Sequence, residues 1–148
     1  MIQFIIENEQ DKIDFTTELE TVFQQGVSTT LDVIGGGDTD FEVSVLITDN
    51  EGIHEMNKEY RDVDSPTDGL SFPILEFDEN GVMIEESGDY DGDLLLLGDI
   101  VISLERAAKQ GYEIGHSIYH EVAFLCVHST LHLLGYDHET SKADEKEI

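Results

Sequence analysis

The chain has 148 residues, with 34 Asp plus Glu against 7 Lys plus Arg and a formal net charge of −27. That length fits one domain able to bury a core, and so acidic a surface repels nucleic acid at long range and argues against non-specific binding to it. The single cysteine, Cys126, excludes an internal disulfide, and no stretch approaches the ~18 apolar residues of a membrane span.

"IQFIIEN" at 2–8 predicts a first strand. Its start, "MIQFIIENEQ", lacks the basic opening and long apolar run of a signal peptide, so a cytoplasmic location is expected. Residues 14–34 place Phe15, Leu19, Val22, Phe23 and Val27 at helical spacing, and "GGGD" at 35–38 breaks that helix. "FEVSVLIT" at 41–48 alternates as a strand, and Asp49 is suited to cap a helix running to about Tyr60. "SPTDG" predicts a turn, then a strand around "LSFPIL" in which Pro73 points to a sheet edge or a strand end.

The acidic stretch 76–93 reads as a surface loop or hairpin. "LLLLGDIVIS" follows as the most apolar and therefore central strand, and a helix is expected from Leu104 to about Gly111. The last helix spans roughly Ser117–Leu134 and is apolar nearly all round, which predicts burial. This order predicts a single α+β domain over 1–148, with a small mixed four-stranded sheet packed with helices and a tail at 139–148. Four of the seven basic residues form two i,i+3 pairs, Lys58 with Arg61 and Arg106 with Lys109, so each pair shares a helix face. Either they build a small positive patch within the acidic shell, or they are solvated faces.

Chemistry concentrates in "HSTLHLLGYDH", which carries His128, His132 and His138. Helical residues four apart project from one face about 6 Å apart along the axis, so His128 and His132 can grip one ion. Gly135 can take the left-handed conformation that ends a helix and returns the chain, bringing His138 to the same ion. Three imidazoles leave one tetrahedral zinc position open, the pattern of a catalytic site. Asp137 could orient a ligand, and Cys126, two positions before His128, points away and belongs to the core.

Zinc peptidases share this histidine spacing but carry a glutamate after the first histidine; here Ser129 stands there. Zinc lowers the pKa of its water to about 7 without a strong protein base, so hydrolysis remains open while amide cleavage lacks its proton shuttle. A phosphodiester instead needs a cation for its non-bridging oxygens, and the Arg61 guanidinium matches phosphate in a bidentate way.

Together with "YRDVDSPTDGLSFP" at 60–73 and "LLGDIVIS" at 96–103, the histidine segment resembles the YbeY endoribonucleases. The resemblance implies a bacterial, cytoplasmic, zinc-dependent endoribonuclease specific for single-stranded RNA. Such enzymes mature ribosomal RNA, notably the 3′ end of the small-subunit RNA, and act in ribosome quality control. It also implies one zinc ion on His128, His132 and His138, Arg61 as the functional arginine, and ribosomal RNA or a ribosomal protein as partner. "GHS" at 115–117 matches as well, placing His116 either near the cleft or in the core or a loop. Glycine is usual in the family where Ser129 stands, valine where Gly69 stands and arginine where His120 stands. Two other readings stay open: a metallopeptidase-like hydrolase recruiting its base from Asp137 or the acidic loop, and a ribosome-associated binding protein whose metal only holds the C-terminal turn.

Overall fold

The computed structural model describes residues 2–34, 40–74, 76–77, 79, 83–84 and 90–135. Its elements run β1 (Ile2–Asn8), α1 (Thr17–Ile34), β2 (Phe41–Thr48), α2 (Asn50–Arg61), β3 (Gly69–Pro73), β4 (Glu76–Phe77), β5 (Met83–Ile84), β6 (Tyr90–Asp91), β7 (Leu94–Ser103), α3 (Leu104–Ile114) and α4 (Ile118–Leu133). This is the expected α+β domain with a mixed sheet.

The sheet order is β1-β2-β7-β3, with β1, β2 and β7 parallel and β3 antiparallel to β7. Two-residue β6 also pairs with the start of β7, which makes five strands where four are predicted. The acidic stretch divides between this pairing and an antiparallel ribbon of β4 and β5. Parallel neighbours need a crossover, and α1 supplies the one between β1 and β2.

β7 is central because it is apolar on both faces. Leu95, Leu97, Ile100 and Ile102 all join the larger core with α1, α3 and α4, while Val101 packs with Ile53 of α2 and Leu70 of β3 on the other face. Strict alternation cannot send both 95/97 and 100/102 to one side. The register against β2 slips between Glu42 and Val43, which pair with Leu96 and Gly98, so Leu97 is the extra residue of a bulge. Gly98 takes φ 142° there, and a Cβ on it would stand 2.6 Å from the Phe72 carbonyl oxygen and 2.8 Å from Leu133 Cδ2. Only glycine meets both demands.

Local chemistry sets the helix ends. α1 begins at Thr17 and not at Asp14, because the Thr16 hydroxyl accepts from Leu19 N at 3.2 Å and so caps the helix. Phe15 stays outside it but packs edge-on against Phe23 at 5.8 Å. α3 runs past Gly111 to Ile114, and Gly115 is its left-handed cap. Gly111 is instead a point of close approach, where a Cβ would lie 2.8 Å from the His116 carbonyl oxygen. α4 buries one face through Val122, Leu125, Cys126 and Leu133. Tyr119, Phe124 and Val127 remain exposed, so apolarity all round did not mean burial all round. Cys126 lies in the core as expected, and burial pushes its thiol up, away from the thiolate a metal requires.

One buried carboxyl has a consequence for stability. Glu42 of β2 is buried, its Oε1 without a hydrogen-bond partner among the described residues. A hydrogen bond with Asp91, burial and the Asp91 charge together raise its pKa above the ordinary 4.5. An acid raised on folding contributes stability below its ordinary pKa and loses it as pH climbs through the folded value. Glu42→Gln is therefore expected to raise Tm at pH 7, with the gain over wild type shrinking to nothing near pH 4. Thermal melts across that range check this, and a gain independent of pH would refute the account.

Candidate metal centre and cleft

α4 presents His128 and His132 one turn apart, half-buried, with ring centroids 4.6 Å apart and the two Nε2 atoms at 3.1 Å. The exposed Phe124 ring stacks on His128 at 6.0 Å and 16°, which limits how that imidazole can turn. The helix ends as the motif predicts. Gly135 takes φ 92° and donates its N–H to the His132 carbonyl at 3.1 Å. His138 and Asp137 lie outside the described residues. Among those described, no group of three or more His, Cys, Asp or Glu side chains forms a metal-binding cluster.

The pair fits a metal on its own terms. Two nitrogens bound to one tetrahedral ion at 2.0–2.1 Å stand roughly 3.3–3.4 Å apart, close to the separation seen here. The last turn of a helix also carries partial negative charge, which favours a cation beside His132.

Both histidines line a cleft of about 760 Å³ that also takes in Tyr60 and Arg61 of α2 and Thr67–Ser71 around the start of β3. Arg61 is the last residue of α2; Asp62 follows in the left-handed conformation, φ 57°, and turns the chain away. The guanidinium donates from Nη2 to the Ser71 carbonyl on the edge strand and lies 5.2 Å from the Phe72 ring centroid. A hydrogen bond and an aromatic face, both at the guanidinium, hold the tip of a long side chain that would otherwise be solvated.

Asp68 and Asn57 complete the wall; neither carries a signal in the sequence that marks it for this cleft, although Asp68 lies within the 60–73 segment. Asp68 is the one carboxylate among the cleft's described lining residues, a low density for a chain of net charge −27. Asn57, buried in α2, donates from Nδ2 to the Ser65 carbonyl at 2.9 Å, and its backbone carbonyl accepts from Val63 N at 3.2 Å, so it braces the loop that carries Asp68.

Other candidates lie elsewhere. Lys58, Arg106 and Lys109 do not line this cleft. His116 is a loop histidine at the α3–α4 turn, with Nδ1 3.5 Å from Glu121 Oε1 and its ring 4.1 Å from that of His120. Ser129 is buried, and a hydroxyl there is no substitute for a peptidase's carboxylate base. Gly69 and Ser129 are neighbours across the strand and helix: a Cβ on Gly69 would sit 3.8 Å from Ser129 Oγ.

These features define a class: a small α+β domain whose helix α4 opens a histidine pair onto a cleft facing an arginine. The chain belongs to the YbeY family, whose model, described as Endoribonuclease YbeY, matches residues 5–148. Relatives bearing that name include proteins of Caldicellulosiruptor bescii and Thermoanaerobacter pseudethanolicus. The first is 46% identical over 93% of this chain and 85% of its own length. The second is 47% identical over 95% and 87%. The fold is also similar to the solution structure of TM1509 from Thermotoga maritima, with a TM-score of 0.57 and 24% identity over 95% of this chain and 77% of that one. No described helix is long and apolar enough to cross a membrane.

Proposed function

We propose that the chain is a zinc-dependent endoribonuclease for single-stranded RNA, acting on ribosomal RNA at the 3′ end of the small-subunit RNA and in ribosome quality control. Its place of action is the cytoplasm, and its ligands for one ion are His128, His132 and His138. Family membership supports the reaction class. The observation that carries the reading is the convergence of two Nε2 atoms, 3.1 Å apart, on a cleft shared with Arg61.

Zinc bound by three imidazoles supplies Lewis acidity and a water acidic enough to act as a nucleophile at neutral pH. The remaining work falls to the chain's own groups. Arg61 binds the non-bridging phosphate oxygens and offsets the charge that grows on them in the transition state. Asp68, which lines the same cleft, would accept or return a proton. Phe124 keeps the His128 ring oriented. Since the surface as a whole repels RNA, a ribosomal protein partner would supply affinity that the shell withholds.

The test is cleavage of a single-stranded ribosomal RNA fragment by the purified chain, with and without chelator. Wild type is expected to cut, the chelated sample to be inactive, and added zinc to restore cutting. Cutting that survives complete metal removal would overturn the metal-dependent reading.

A further inference from the structure

A second cavity, about 520 Å³, opens on the sheet face beside α2 and lies outside the chemistry assigned above. Strand register builds its floor. Ile5, Ser44, Asp99 and Phe72 stand side by side across β1, β2, β7 and β3, and Glu7, Leu46, Val101 and Leu70 form the next row. At about 4.8 Å between strands, each row spans roughly 14 Å. α2 packs on β7 and β3 and adds Met56 and Tyr60 as a wall.

Tyr60 lines both cavities. Its ring meets Phe72 edge-on at 5.7 Å, and the Arg61 guanidinium lies over Phe72 from the histidine cleft. The partition between the cavities is thus an aromatic pair carrying the phosphate-binding arginine. Beyond it the floor is mostly apolar; Ser44 adds a hydroxyl next to Asp99, and its charged groups are all carboxylates: Asp99 beside Phe72, with Glu7 and Glu9 from β1 and the residues just after it. Three carboxylates repel a phosphate. They suit a flat group with an apolar face and an amino edge.

We infer that this cavity is a nucleobase subsite for the nucleotide flanking the scissile phosphate, taking cytosine, adenine or guanine in preference to uracil. The inference rests on the endoribonuclease reading. The phosphate stays with Arg61, the base crosses the partition, its face meets Tyr60 and Phe72, and its exocyclic amino group donates to Asp99. Uracil has no exocyclic amino group, and its one edge donor, N3–H, is flanked by two carbonyl oxygens that meet the carboxylate with like polarity, so its contact with Asp99 is the weaker one. The volume lies within the range of small-molecule sites, and single-stranded RNA is commonly read by such stacking with edge hydrogen bonds.

The test sequences the ends left by the full chain on randomised single-stranded RNA, beside Asp99→Asn, Tyr60→Phe and Tyr60→Ala. Wild type is expected to disfavour uridine at one position next to the cut by about fivefold or more, the lower end of what a carboxylate–amino contact discriminates. Asp99→Asn should reduce that ratio below about twofold, since an amide offers a donor as well as an acceptor. Tyr60→Phe should keep the preference and Tyr60→Ala should raise KM. Cutting by wild type with no base preference, or a preference unmoved in Asp99→Asn, overturns the subsite and leaves the nuclease standing. If wild type cuts nothing, titration of cytidine and uridine into the protein, followed by NMR, decides. Cytidine-selective shifts lost in Asp99→Asn support the subsite, and their absence overturns it.

Discussion

His132→Ala is expected to abolish RNA cleavage and to take bound zinc from about one ion per chain to none measurable by elemental analysis. Lewis-acid stabilisation of a phosphoryl oxygen contributes several kcal/mol, and each 1.36 kcal/mol is a factor of ten. The loss should therefore be on the order of 10³-fold or more. The folded chain should tolerate the change. His132 is half-buried in the last turn of α4, and alanine is the better helix former. Melts in chelator should accordingly superimpose for wild type and variant, while in excess zinc only wild type gains stability by mass action. A variant that loses zinc yet cuts at the wild-type rate would remove the histidines from the reaction.

The second large effect belongs to Arg61. Arg61→Ala should lower cleavage by about 10²–10³-fold, the usual consequence of deleting one group aimed at developing negative charge, while zinc content stays at wild-type level. Tm should fall only slightly. The side chain is exposed, and it gives up one hydrogen bond to the Ser71 carbonyl and one contact over Phe72. Arg61→Lys should fall between the two, since an ammonium keeps the charge and loses the fork that matches phosphate. A ribosome-associated protein with a merely structural metal predicts the opposite pattern: histidine substitutions that lower Tm, and an Arg61→Ala that changes nothing in cells. The two measurements together separate those roles.

Much of this site was legible in the sequence, because its parts are local. The 3.6-residue period alone brings His128 and His132 to one face, and a glycine after the last periodic residue ends the helix where Gly135 ends it. Alternation and apolar density likewise identified β2 and β7 and put β7 in the middle. Asp49 caps α2 as expected, its side chain accepting from Gly52 N at 2.9 Å.

Contacts between distant segments were not legible. That Arg61 enters the same cleft as histidines some seventy residues later depends on how α2 and α4 approach the edge strand β3 from opposite faces. The meaning of a residue also changed with its neighbours. Gly111 looked like a helix stop and is a packing contact. Phe124 counted toward a buried helix and instead stacks on His128. The bulge at Leu97–Gly98 is invisible to a count of alternating residues, because it exists only against the register of β2. Asp68 and the Tyr60–Phe72 partition come from the same source. Helical and strand periods are properties of a few consecutive bonds, so composition and spacing specify them. The cleft, the Asp68 carboxylate on its wall and the second cavity arise where surfaces far apart in the chain pack together, and that packing is settled by the shape of the whole core.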